Sequence, residues 1–134
     1  MTRKKLLAII FAVAAPVWLV GQTTNFTGGT PSQVDATKVR TSRLKFKAGS
    51  RSNWHSHTWG QLLMIEEGKA RTQVRGGAVQ EMGPGQPWWT AAGIEHWHGA
   101  SPTTAMTHIA ITGTLNGKNV EWMEKVTDEQ YDGK

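Results

Sequence analysis

The chain has 134 residues, enough for one domain with a core of its own. It contains no cysteine, which excludes disulfides and thiolate metal sites, so any metal must be held by His, Gln, Asp or Glu. The formal charge is +5, but setting aside Arg3, Lys4 and Lys5 leaves 12 basic against 10 acidic residues, a net of +2 that argues against nucleic acid as a partner.

Met1 to Lys5 forms a short positive segment, and Leu6 to Val20 is an apolar run of 15 residues interrupted by Pro16. A membrane span needs about 20 apolar residues. Residues 1–22 therefore read as a secretory signal peptide, with an uncleaved N-terminal anchor as the alternative. Cleavage after Ala14, Gly21 or Gln22 would export the domain to the periplasm or the exterior, with no membrane contact afterwards. Residues 23–36 are polar with Gly-Gly and Pro and read as a lead-in segment. Asn25-Phe-Thr27 matches a glycosylation sequon, most simply by chance.

The domain proper occupies residues 37–134. The chain's 15 glycines, set between short apolar runs, suggest an all-β fold. Leu44, Phe46 and Ala48 alternate with Arg43, Lys45 and Lys47 in a first strand. Upstream, Lys38 and Arg40 put charge on the opposite parity, which predicts a bulge near Thr41-Ser42. The basic run from Lys38 to Arg51 reads as a solvated strand face. Gln61 to Glu67 (QLLMIEE) has a continuous apolar centre, as in a strand buried on both sides. Lys69 to Arg75 precedes a Gly76-Gly77 hairpin turn, and Gly83-Pro84-Gly85 marks another turn. Further strands are predicted over Pro87–Ala92, His96–Ala100, Met106–Thr112 and, after the Asn116-Gly117 turn, Val120–Val126. Thr127 is a candidate N-cap for one helical turn. Many short strands between glycine turns predict a sandwich or barrel.

The histidines carry the chemistry. His55 and His57 are separated by one residue, so on a strand both face one side. Gln61 follows, and His96 lies downstream in Gly-Ile-Glu-His-Trp-His-Gly. Imidazole nitrogens and an amide oxygen are suitable donors to a divalent transition metal. Gln61 has a second reading, as a hydrogen-bond partner of a ligand histidine. His98 shares the face of His96, and His108 lies on another strand with Ala110 and Thr112. By parity, Ser42, Leu44 and Phe46 supply barrel wall. Trp97 faces away from the histidines, and Trp88 and Trp89 face opposite ways.

The spacing of Gly49, His55, His57, Gln61 and Gly68 resembles the first cupin motif, which usually has Glu in the place of Gln61. Gly85, Ala91, Gly93, His96 and Ala100 resemble the second motif, with Ala91 in place of the usual Pro and Ala100 in place of a frequent Asn. His55-Ser-His-Thr-Trp-Gly-Gln61, Glu95-His-Trp-His-Gly-Ala-Ser-Pro-Thr-Thr-Ala-Met-Thr-His108 and Val120 to Tyr131 are similar to the small bacterial cupins of the cupin-type (R)-mandelonitrile, or hydroxynitrile, lyases. The resemblance spans most of residues 25–131. It implies a cupin double-stranded β-helix, a jelly-roll barrel. It also implies a divalent metal, manganese first, with Fe, Ni, Co or Zn able to use the same donors. His55, His57, Gln61 and His96 are then the ligands. His98 and His108 are candidate catalytic bases or donors to a departing anion. Ser42, Leu44, Phe46 and Thr112 are candidate substrate-pocket residues. The partners implied are a small-molecule substrate and further copies of the chain, as a homodimer or homotetramer.

Three imidazoles and an amide are neutral, so the metal keeps its full charge and polarises a bound hydroxyl strongly. The activity this implies is carbon–carbon lysis of an aromatic cyanohydrin to aldehyde and cyanide. The alternatives are a dioxygenase or decarboxylase acting on a small aromatic substrate, and a non-catalytic ligand-binding or sensor cupin. His98 and His108 argue against the last, since metal binding alone does not need them.

Overall fold

A computed structural model describes residues 25–27, 29 and 31–134. The leader expected over 1–22 lies outside the described residues. No helix among the described residues is long and apolar enough to cross a membrane.

Val34–Lys134 forms a unit of nine strands and one short helix. The strands are β1 (Val39–Phe46), β2 (His55–Ser56), β3 (Gln61–Gly68), β4 (Ala70–Val74), β5 (Gln80–Met82), β6 (Pro87–Thr90), β7 (His96–Ala100), β8 (Met106–Gly113) and β9 (Glu121–Trp122). They build two antiparallel sheets, ordered β1-β8-β3-β6 and β5-β4-β7-β2-β9. Leu63, Ile65, Met106 and Ala110 from the first sheet pack with Ala70, Met82 and Ala100 from the second. The main core therefore fills one end of the space between the sheets, as in the jelly roll the sequence predicts.

A second cluster lies on the far side of the five-stranded sheet. It joins Trp54, Trp97, Val126 and Tyr131. Trp97 reaches it because its neighbours His96 and His98 point the other way. Helix α1 (Asp128–Asp132) closes this cluster. Thr127 caps it as expected: its side chain accepts from the Gln130 amide, and Gln130 returns a bond to the Thr127 amide. Tyr131 then donates to the Ala100 carbonyl at 2.7 Å, and Arg51 stacks 4.5 Å over the Tyr131 ring. The C-terminus thus braces the back of the strands that carry the histidines.

Three expectations need correction. No bulge lies at Thr41-Ser42: β1 pairs with β8 without interruption from Val39↔Gly113 to Phe46↔Met106. Arg40 therefore shares the inward face with Ser42, Leu44 and Phe46, so the parity break reflects an inward-facing charge. The register shift sits instead in β3, between Ile65 and Glu67. That strand is buried on one face only, with Gln61, Leu63 and Ile65 inside and Met64 44% exposed outside. Finally, the strand expected over Val120–Val126 shortens to Glu121–Trp122, because the chain leaves the ladder after pairing across His55. Met123 and Glu124 continue to exchange backbone bonds with Trp54.

Candidate metal centre and cavity

β2 and β7 place His55 directly opposite His96. Opposed residues of an antiparallel pair share a face, so both rings enter the space between the sheets, 4.3 Å apart between centroids. His98 follows two residues on, on the same face. His57 lies just past β2, its ring 5.2 Å from His55 and 5.7 Å from His96. Its carbonyl accepts from Gly60 and Gly93, which pins the loop. Gln61 opens β3 across this space, with its Oε1 2.9 Å from His96 Nε2. His108 comes from β8, its ring 5.1 Å from that of His98. All five histidines and Gln61 are buried.

The rings divide into two kinds. His55, His57 and His96 each hold Nδ1 against a main-chain carbonyl, of Asn53, Asn119 and Ile94 respectively. A neutral ring so anchored carries its proton on Nδ1 and turns an Nε2 lone pair inward. His98 Nδ1 and both nitrogens of His108 are buried without a hydrogen-bond partner. Burial is the main force on every ring here. It pushes His55 down to about 3, with His96 and His57 adding repulsion, and His96 down to about 4. It also lowers His57 and His108 and holds His98 well below the usual imidazole value. The Ile109 backbone opposes part of the His108 shift, without hydrogen-bonding geometry. At neutral pH the centre is a set of neutral nitrogen donors.

The donor set fits a divalent cation. His55, His96 and His98 offer nitrogens all within 4.8 Å of one another. His57 Nε2 is also buried and unpaired. Neutral His96 has one proton but two oxygen neighbours, the Ile94 carbonyl and Gln61 Oε1. With Nδ1 protonated, the Nε2 lone pair faces the Gln61 amide, whose NH2 can donate to it or whose oxygen can share a cation with it. Two ligand atoms of one ion, each bonded at about 2.1 Å and at right angles, stand about 3 Å apart. Proximity alone favours His98 as the third nitrogen. The carbonyl anchors favour His57, and they carry more weight because they fix the ring's proton as well as its position.

Beside this centre lies a cavity of about 140 Å³. A cavity of about 150 Å³ admits benzene. Ser42, Leu44, Phe46 and Thr112 all line it, as do His98 and His108. The Phe46 ring stands 5.9 Å from His98 and 5.5 Å from His108. Sequence reasoning did not assign Arg40, Asn119 or Trp122 to this lining. Trp122 could have been found from the pairing of its strand with His55. Among the described residues no aspartate or glutamate lines the cavity.

A two-sheet jelly roll with a histidine-rich centre between its sheets is an arrangement that could hold a divalent metal. The chain belongs to the cupin family: residues 42–112 match the cupin domain. It is 50% identical over 97 residues to an (R)-mandelonitrile lyase of Granulicella tundricola, covering 72% of this chain and 74% of that protein. Its fold is similar to that of a cupin-like protein of Thermotoga maritima, with a TM-score of 0.69 and 32% identity over 72% of this chain and 73% of that one. A Klebsiella pneumoniae protein with a double-stranded β-helix domain shares the fold at a TM-score of 0.58 and 17% identity, covering 76% of this chain and 91% of that one.

Proposed function

We propose that this chain is a metal-dependent enzyme of hydroxynitrile lyase type, cleaving an aromatic cyanohydrin reversibly to an aldehyde and hydrogen cyanide. The observation that carries the reading is the division of the rings: three anchored imidazoles stand together, and two unanchored ones, His98 and His108, line the benzene-sized cavity beside them. The 50% identity to an (R)-mandelonitrile lyase supports the same reaction.

His55, His57, His96 and Gln61 hold the ion in this reading. A divalent metal there, manganese first and Fe, Ni, Co or Zn by the same donors, supplies Lewis-acid polarisation of the substrate hydroxyl. Leu44 and Phe46 pack the arene. His98 or His108, neutral because buried, accepts the hydroxyl proton. The carbon–cyanide bond breaks, its electron pair leaves with cyanide, and the carbonyl forms. The protonated ring stabilises the anion by a charge-assisted hydrogen bond and then returns the proton, releasing hydrogen cyanide. Export of the domain and assembly as a homodimer or homotetramer accompany this proposal. Fractionation of the source cells and sedimentation of the purified protein test them.

The deciding experiment is benzaldehyde release from mandelonitrile by metal-loaded protein. Release that disappears on chelation and returns with metal is the expected result. No aldehyde from any aromatic cyanohydrin, at full metal occupancy, overturns the reading.

A further inference from the structure

Arg40 stands apart from the other described arginines. Arg43, Arg51, Arg71 and Arg75 each pair with a carboxylate, on Glu66, Asp128, Glu81 and both Glu95 and Glu124 respectively. Among the described residues Arg40 has no such partner. It does not point out with the solvated charges of β1 either. The unbroken register sets it on the inward face and in the lining of the cavity.

Its place in the sheet is specific. Arg40 pairs with Thr112, and Thr112 pairs with Gln61 on its other side. The three residues form one cross-strand row on the inward face. Adjacent strands lie about 4.8 Å apart, so the Arg40 and Gln61 backbones are about 10 Å apart. Arg40 is exposed, whereas His55, His98 and His108 are buried. The lining thus runs from a cationic, accessible end in the row of Gln61 to buried imidazoles, with Ser42 next along β1 and Leu44 level with His108. With no acid in the lining, nothing in the cavity neutralises the guanidinium.

We propose that Arg40 reads a carboxylate on the ligand, so that the molecule this cavity selects is a small organic acid. Its apolar body lies along Ser42 toward Leu44, and its reacting hydroxyl reaches the histidines. The planar fork of arginine suits a carboxylate by two parallel hydrogen bonds. This deepens the proposed function and rests on it only for the chemistry at the histidines.

The test is binding, measured apart from turnover. Calorimetry on manganese-loaded protein compares benzyl alcohol with 3- and 4-(hydroxymethyl)benzoate, which keep the hydroxyl and add a remote carboxylate. In wild type at least one acid should bind about fivefold or more tighter than the alcohol, the scale of one partly exposed ion pair. In Arg40→Gln that ratio should fall to about one, and in Arg40→Lys it should be intermediate. No preference for either acid in wild type overturns the proposal. So does a preference that survives Arg40→Gln, which would place the carboxylate on the metal. Mandelonitrile cleavage by the same wild-type preparation is scored separately. An Arg40-dependent preference without cleavage supports the carboxylate proposal and overturns the lyase reading.

Discussion

Gln61 Oε1 lies 2.9 Å from His96 Nε2, on a ring whose other nitrogen already meets the Ile94 carbonyl 3.0 Å away. A neutral imidazole has one proton for these two oxygens. The contact sets Gln61 beside the ring nitrogen that would face an ion, either as a shared ligand or as a donor to that nitrogen. With an amide rather than a carboxylate at this position, the donor set carries no charge of its own.

Gln61→Glu should therefore retain the metal or tighten its hold, and slow the chemistry. A carboxylate offsets part of the ion's charge and weakens its pull on the substrate hydroxyl. The expected loss in mandelonitrile turnover at equal metal occupancy is about tenfold, equivalent to about 1.4 kcal/mol in the barrier. Metal affinity and turnover are measured on the same preparation. An unchanged or faster rate removes the Lewis-acid role assigned to this neutral site.

The buried rings set a pH dependence for the metal-free fold. His55 is held down to about 3 and His96 to about 4, chiefly by burial. In the unfolded chain each returns to about 6.5. Between these values the unfolded state binds more protons than the folded state, so stability rises with pH. The metal-free protein should be most stable above about pH 7 and lose stability as pH falls through about 6.5 toward 4. Thermal melts at pH 8, 7, 6 and 5 with chelator present read this out. A midpoint that is flat or rises from pH 7 to pH 5 contradicts it.

Gly68, which closes the first histidine motif, has φ +78°, and a Cβ there would come 1.8 Å from the Ala105 carbonyl oxygen. Gly76 has the same φ with open space around it. Gly76→Ala should cost about 1 kcal/mol, the left-handed backbone penalty alone. Gly68→Ala should cost about 2 kcal/mol or more, because the chain must also move away from β8. Chemical denaturation of the two variants gives the comparison. Equal costs would mean that close approach to Ala105 is not what requires glycine at Gly68.

The legible parts of the site were those carried by side-chain identity and strand period. His55 and His57 one residue apart, and His96 and His98 likewise, needed only alternation to be placed on one face. Thr127 as an N-cap needed only its residue type ahead of a short polar run, while the return bond from Gln130 emerged with the structure. The anchors of the imidazoles were not legible, because Asn53, Asn119 and Ile94 act through main-chain carbonyls that any residue possesses. The outward exposure of Met64 was hidden in an apolar run with no polar residue to mark the wet face. Arg40 was misread for a physical reason as well. An inward charge and a bulge leave the same break in alternation, and only the register against β8 separates them.

The last prediction separates holding the ion from doing chemistry. His57 is anchored by Asn119, whereas His98 brings a nitrogen within 4.8 Å of nitrogens on His55 and His96 but has no carbonyl to fix its proton. If anchoring decides the third nitrogen, His57→Ala should lose most of its metal and His98→Ala should keep most of it. His108→Ala should also keep its metal. Elemental analysis, with circular dichroism to show an intact sandwich, settles these three. A positioned acid or base contributes about 10²–10⁴-fold, so His98→Ala and His108→Ala should each lose at least about tenfold in turnover, toward the low end of that range. The double variant should lose less than the product of the two, since rings 5.1 Å apart can serve the same proton. Metal loss in His98→Ala with full occupancy in His57→Ala would reverse the assignment and make His98 a ligand. Full turnover in both His98→Ala and His108→Ala would leave their unpaired nitrogens without a catalytic role.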